Sequence, residues 1–132
     1  MNRERITLPQ FHARLVDQGV AGKLDLAFVC PICSTVQSAR TLIAVGAGNT
    51  FDDVEGVIGF SCVGRWTKAG PHPRGGQPGR GCDWSLGGLF SLHELEVDTP
   101  DGIRATFRPA TAEEAQGLTA RQGFLVDRER AA

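Results

Sequence analysis

The sequence predicts an α+β fold, in which a small antiparallel sheet is combined with an N-terminal helix, a helical insert, and a C-terminal hairpin with a short helix. Three observations favour this class. Capping-box patterns mark a helix start near each end of the chain, and short apolar runs are bounded by Gly and Pro. A Thr-Pro-Asp-Gly turn also separates two alternating segments. The chain has 132 residues, which suits one domain over residues 1–126 with a frayed tail over 127–132.

The first half of the chain contains signals for two helical regions and one strand. Thr7 begins a capping box, and apolar residues at helical spacing predict a helix over about residues 8–18. The alternation from Lys23 to Cys30 predicts a strand. Apolar positions from Val36 to Ala44 then fall on one helical face, and Thr50 caps a short second turn. This region is therefore predicted to be a helical insert.

The second half of the chain is predicted to be mostly strand. Apolar segments predict strands over 57–62 and 82–90, and the polar, Gly- and Pro-rich run over 64–81 predicts a long exposed loop between them. Alternation on both sides of Thr99–Gly102 predicts a hairpin, with Pro at the first turn corner and Gly at the end. A second capping box begins a short helix over about residues 111–122.

Composition and charge exclude several classes of protein. The chain carries 14 basic and 15 acidic residues, and the formal net charge of -1 gives the whole molecule no attraction for a polyanion. The N-terminus lacks the apolar core of a signal peptide, and no apolar run is long enough for a transmembrane helix. We therefore expect a cytoplasmic protein without contact to a membrane.

Four cysteines are the main candidates for chemistry. Cytosolic thiols are kept reduced, which favours a metal site over disulfides. Cys30 and Cys33 are separated by two residues, so a tight turn can present both sulfurs to one ion. Cys62 and Cys82 lie at predicted strand ends on either side of the loop, where a hairpin can bring them together. Four thiolates complete the shell of one structural Zn²⁺, so we expect a zinc-ribbon-like sheet.

The cysteine pattern leaves three alternatives open. His72, inside the loop, can replace Cys62 or Cys82 as a ligand, because imidazole also binds zinc well. The cysteines can instead be buried and unliganded, as small apolar residues. Cys30 and Cys33 also match the Cys-Pro-x-Cys arrangement of dithiol oxidoreductases, although no βαβ unit surrounds them.

The sequence gives no strong signal for an enzyme. Four thiolates close the zinc shell and leave no position for a reacting water molecule. The chain also lacks the motifs of zinc hydrolases, zinc deaminases and P-loop enzymes. We assign no catalytic residue and expect a binding module.

Five runs of sequence carry a resemblance to a known family: Phe28–Cys33, Val36–Ser38, Gly59–Arg65, Gly79–Trp84 and Gly87–Phe90. Over roughly residues 8–108 the chain resembles an uncharacterised family of small phage- and prophage-associated, zinc-ribbon-like proteins. The resemblance implies a zinc-binding role for the four cysteines and implies no activity. It also implies a phage-encoded protein, and we therefore expect an accessory protein that docks on a host or phage protein in the host cytoplasm.

The loop between the last two cysteines is locally basic and carries candidate contacts to nucleic acid or to a protein partner. These residues are Arg65, Trp66, Lys68, His72, Arg74 and Arg80. Basic side chains can follow a phosphate backbone while the tryptophan stacks on a base. The alternative is a solvated loop, with its tryptophan packed over the metal site. A protein partner remains the first expectation, because the chain as a whole is almost neutral.

Overall fold

A computed structural model describes residues 4–70, 81–85 and 95–131, with backbone only from residue 122 onward. The fold is α+β and confirms the predicted class, with two small sheets of three strands each. The helices and strands are β1 (Glu4–Thr7), α1 (Leu8–Val16), β2 (Ala27–Val29), β3 (Val36–Ser38), α2 (Ala39–Ala44), α3 (Phe51–Val54), β4 (Leu95–Thr99), β5 (Gly102–Thr106), β6 (Arg108–Pro109) and α4 (Ala112–Ala131).

The two sheets differ in strand direction. The first has the order β1-β4-β5, in which β1 runs parallel to β4 and β4 forms an antiparallel hairpin with β5. The second has the order β3-β2-β6 and is antiparallel throughout. The expectation of a single antiparallel sheet is therefore corrected. The additional strand β1 contains only one apolar residue, Ile6, so its short sequence carries no strand signal.

Local signals located the starts of α1, α3 and α4 correctly. The hydroxyl of Thr7 accepts a hydrogen bond from the Gln10 backbone N–H, and the Gln10 side chain accepts one from the Thr7 N–H. The same reciprocal pair joins Thr111 and Glu114 at the start of α4, which continues to Ala131. The helical insert is confirmed as α2 and α3, the latter capped by Thr50. These caps are local, so the sequence is sufficient to predict them.

Several segments differ from their predicted structure. The strand predicted from Lys23 to Cys30 is reduced to β2, because Lys23–Asp25 form a short 3₁₀ helix. Residues 36–38 form strand β3 rather than the first turn of a helix, because they pair with β2. Residues 57–62 form consecutive turns rather than a strand: the N–H of Ile58 bonds to the carbonyl of Val54 at 3.1 Å, and that of Ser61 to Val57 at 3.0 Å. Of the predicted strand over 82–90, the described part makes one bridge, between Ser61 and Ser85, and residues 86–90 lie outside the description.

The C-terminal hairpin is confirmed. Its strands β4 and β5 pair from Leu95 with Thr106 to Thr99 with Gly102, and the two residues between them form the turn. Gly102 has a φ of 119°, which favours glycine at this position. Among the described residues, no helix has the length and apolar character needed to cross a membrane.

The main core surrounds the cysteines. A cluster of buried side chains contains all four of them together with apolar residues from β2, α2, α3 and the end of the hairpin. Its largest fully buried members include Phe107, Leu42 and Val54. The sulfur atoms therefore lie within the main core.

Candidate metal centre

The four cysteine sulfurs form one compact cluster. All lie within 4.8 Å of one another, and the closest pairs, Cys30 with Cys82 and Cys33 with Cys62, are 3.7 Å apart. The four residues are between 0% and 1% exposed. Sulfurs at about 2.3 Å from one tetrahedral ion are about 3.8 Å apart, so the cluster has the dimensions of a four-thiolate metal site. The structure thus brings together all four predicted ligands.

The first two ligands are presented by a tight turn. The N–H of Ser34 donates to the Cys30 carbonyl at 2.9 Å, and the Cys30 N–H donates to the Thr35 carbonyl at 3.0 Å. Ser34 has a φ of 59°, so the chain reverses through a left-handed residue just after Cys33. These backbone bonds hold both sulfurs on the inner side of the turn without help from distant parts of the chain.

The second two ligands are held by direct packing of two glycines. Gly64 follows Cys62 by two residues, and Gly81 precedes Cys82. A Cβ atom on Gly64 would lie 2.3 Å from the Cys82 nitrogen and 2.5 Å from its carbonyl oxygen, both backbone atoms that cannot move aside. The Cys62 N–H donates to the Trp84 carbonyl at 2.9 Å, and the Cys82 N–H donates to the Cys62 sulfur at 3.3 Å. The ends of the long loop are therefore joined at the metal site.

Thr35 links the two halves of the cluster. Its hydroxyl oxygen accepts a hydrogen bond from the Gly81 N–H at 2.8 Å and lies 2.9 Å from the Cys33 sulfur. Because the oxygen accepts from Gly81, the hydroxyl hydrogen is free to point at the sulfur. Such a bond fixes the direction of the Cys33 side chain.

Gln37 positions the segment that carries Cys62. Its fully buried amide nitrogen donates to the carbonyls of Ile58 and Ser61, both at 2.8 Å, and its oxygen accepts from the Val63 N–H at 2.7 Å. One side chain thus satisfies three backbone groups of a buried, irregular segment. This explains how residues 57–60 can form turns without a strand partner.

The thiol groups have strongly different proton affinities. The neighbouring Cys30 thiol, with the N–H groups of Gly64 and Cys82, lowers the pKa of Cys62 to about 5. The hydrogen bond with Cys62 and burial raise the pKa of Cys30, and burial raises the pKa of Cys82 to about 12. At neutral pH the protons on Cys30 and Cys82 must leave when a cation binds, so metal affinity rises with pH.

The predicted loop contacts are only partly described. Arg65 and Lys68 are exposed, while Trp66 is half-buried and packs against the core cluster that contains the cysteines. The position of Trp66 agrees with the interpretation in which this tryptophan packs near the metal site. His72, Arg74 and Arg80 lie outside the described residues.

Sequence reasoning missed the residues that support the ligands. Thr35, Gln37 and Gly64 were assigned no role, although a glycine next to or near each of the later cysteines is a visible signal. The link from Thr35 to Gly81 and all three bonds of Gln37 join residues more than 20 positions apart in the chain, so no local pattern reveals them.

Comparison with known proteins adds one assignment. No curated protein and no solved structure matches the chain. One family model matches residues 7–110, which include the N-terminal helix, strands β2 to β6 and all four cysteines. The chain belongs to the VVA0879-like family.

Proposed function

We propose that the chain is a structural-zinc binding module, in which Cys30, Cys33, Cys62 and Cys82 hold one Zn²⁺. The observation that carries this proposal is the cluster of four buried sulfurs contributed by distant parts of the chain. Isolated buried thiols have no reason to converge within 4.8 Å of one another. A shared metal ion supplies that reason, because its binding free energy is then part of the free energy of folding.

The ligand set favours zinc among the available metals. Thiolates are soft ligands that select zinc, copper(I) and iron, and hard cations such as Mg²⁺ prefer oxygen. Zinc accepts a tetrahedral arrangement of four thiolates without preference from d-electrons. A single bound iron ion uses the same geometry, so elemental analysis must distinguish the two.

The four ligands also argue for a structural site. With four thiolates bound, the ion has no open position for water or substrate, and the surrounding core excludes solvent. The burial of Cys30 and Cys33, at 0% and 1% exposure, likewise disfavours a dithiol oxidoreductase, whose attacking sulfur has to be reached by a substrate. The site therefore serves the fold.

The direct test is metal content. We expect one zinc per chain in native protein, and loss of zinc in the Cys30→Ser, Cys62→Ser and Cys82→Ser variants. His72→Ala is the matched control, because it removes the alternative ligand and should retain zinc. Protein without metal, in which Cys30 and Cys33 form a reversible disulfide, would overturn the proposal in favour of dithiol chemistry.

We further propose that this zinc-stabilised domain docks on a protein partner, as an accessory protein of the kind that the resemblance to phage-associated proteins implies. A fixed core presents its surface loops with little loss of entropy on binding, which favours recognition. The near-neutral net charge favours a protein over a nucleic acid as partner.

A further inference from the structure

A groove of about 700 Å³ lies outside the metal centre. One wall is α1, which contributes Phe11 and Leu15, and the opposite wall is strand β5. Phe51 of α3 and Phe28 of β2 contribute apolar surface between them. The groove is thus mostly apolar and open along one side of the first sheet.

Strand β5 forms an edge of that sheet. Within the described residues it pairs with β4 alone, so one side of the strand has unpaired backbone groups. The two-residue turn makes Thr99 and Gly102 the hydrogen-bonded closing pair of the hairpin. Because hydrogen-bonded and non-hydrogen-bonded pairs alternate along an antiparallel ladder, the N–H groups of Ile103 and Ala105 point away from β4. Such an edge is a template for an added strand.

The groove continues the inner face of the sheet. Val97 of β4 is buried and lies opposite Arg104 of β5, which is exposed although it shares the same face. Helix α1 packs on β4, and the residues of β5 from Gly102 to Ala105 are exposed within the part of the chain that the structure describes. A strand added to β5 would therefore place alternate side chains in the groove.

The charges around the groove are mainly positive. The basic residues Lys23, Arg104 and His12 line it, and Glu55 is the one carboxylate among the described lining residues. No ion pair engages Arg104 among the residues that the structure describes. An acidic side chain on a ligand would find a complementary partner there.

The groove is connected to the metal centre. Gln37 fixes Ile58 and Val63 on either side of Cys62, and Ile58 lines the groove. The neighbouring Gly59 carbonyl accepts hydrogen bonds from the Thr106 hydroxyl at 3.2 Å and from the Phe107 N–H at 2.8 Å. The floor of the groove is thus fixed by the segment that carries a metal ligand.

We propose that the β5 edge and this groove bind an extended, acidic peptide segment of a partner protein by strand addition, with alternate apolar side chains in the groove and a carboxylate at Arg104. This inference rests on the proposed function as a docking module and specifies its surface. Backbone bonds to Ile103 and Ala105 would supply affinity, and the groove would supply specificity.

The test uses a displayed library of random linear dodecapeptides, selected on immobilised zinc-loaded protein at 150 mM salt. Selected peptides are synthesised and their dissociation constants are measured by fluorescence anisotropy. We expect alternating apolar residues with at least one Asp or Glu. Arg104→Glu should weaken binding at least tenfold, and replacing the peptide acid by Lys should restore it. Arg121→Glu, on exposed α4 surface outside the groove, is the matched control and should change nothing.

A second variant tests strand addition itself. Ala105→Pro removes an N–H that points away from β4, so the hairpin should persist while binding falls at least tenfold. In the wild-type protein, binding of the peptide should slow hydrogen exchange of the Ala105 amide at least tenfold relative to the free protein. Far-UV circular dichroism and zinc content of each variant establish that it is folded.

Three outcomes would overturn the inference. They are a selection that yields no binding peptide, peptides that are indifferent to both Arg104→Glu and Ala105→Pro, and NMR contacts showing that residues 86–94 of the same chain fill the groove. If any of these outcomes is found in protein that contains one zinc per chain, the proposed zinc site is still supported and only the proposed peptide binding is refuted. Peptide binding by a protein that contains no zinc would support the groove and refute the proposed zinc site.

Discussion

Replacing Gln37 by Met tests whether one buried side chain holds the metal-bearing segment in place. Methionine has a similar length and an unbranched shape, so the substitution removes the hydrogen bonds with little change in volume. It leaves the carbonyls of Ile58 and Ser61 and the N–H of Val63 without their partner. An unsatisfied buried group costs about 1–3 kcal/mol, and we expect a loss of about 3–5 kcal/mol in the free energy of unfolding.

The matched control is Gln18→Met. Gln18 is also fully buried, and its side chain makes two hydrogen bonds, to the N–H and carbonyl of Ala27. It supports β2 and not the segment with Cys62, so its loss should cost about 2 kcal/mol. Both free energies are measured by urea unfolding at the same concentration of free zinc, because bound metal contributes to stability.

The rate of zinc release is a second measurement that distinguishes Gln37→Met from Gln18→Met. Gln37→Met loosens the backbone next to Cys62, so transfer of zinc to a chromophoric chelator under native conditions should be at least tenfold faster than in Gln18→Met. A stability loss below about 1 kcal/mol in Gln37→Met would refute the hydrogen-bond reasoning. Equal release rates would refute the idea that Gln37 acts on the metal ligand.

Three further perturbations follow from the structure. Gly64→Ala should prevent zinc retention, because its Cβ would lie 2.3 Å from the Cys82 nitrogen, whereas Gly22→Ala, with nothing within 4 Å, should change the urea midpoint little. Thr35→Val should destabilise the zinc-loaded protein by about 1–3 kcal/mol and Thr35→Ser by less, since only Ser keeps the hydroxyl; equal losses in urea unfolding would contradict this. The Arg108 guanidinium holds the pKa of Glu114 at about 2, below its ordinary 4.5, so the ion pair stabilises the fold above pH 4.5 and this contribution is lost as pH falls toward 2. The stability difference between wild type and Glu114→Gln should therefore be largest at neutral pH and shrink in urea titrations below pH 4.5; a difference independent of pH would contradict it.

The parts of the fold that the sequence predicts are those fixed by neighbouring residues. Thr7 and Thr111 begin helices because each hydroxyl bonds a backbone N–H three residues later. The hairpin at Thr99–Gly102 follows from the turn residues between two alternating segments. The four cysteines were identified by count and spacing, and the structure brings them together.

The parts that the sequence did not predict depend on contacts between distant residues. Val36 continues an apolar pattern of helical period, but pairing with Val29 of β2 makes it part of a strand. The apolar run over 57–62 resembles a strand, but Gln37 satisfies its carbonyls and allows it to form turns. In both places a tertiary interaction outweighs a weak local preference.

One half of the metal site is formed by neighbouring residues and the other half by residues that are distant in the chain. This difference indicates how metal binding is coupled to folding. The turn from Cys30 to Thr35 is closed by its own backbone bonds, so an unfolded chain can present its two sulfurs at small entropic cost. The sulfurs of Cys62 and Cys82 meet only when Gly64 packs on Gly81, which requires the loop between them to close. An ion bound first at the local turn therefore gains its last two ligands only as the core forms. The affinity gained in that step stabilises the segment that also fixes the floor of the groove.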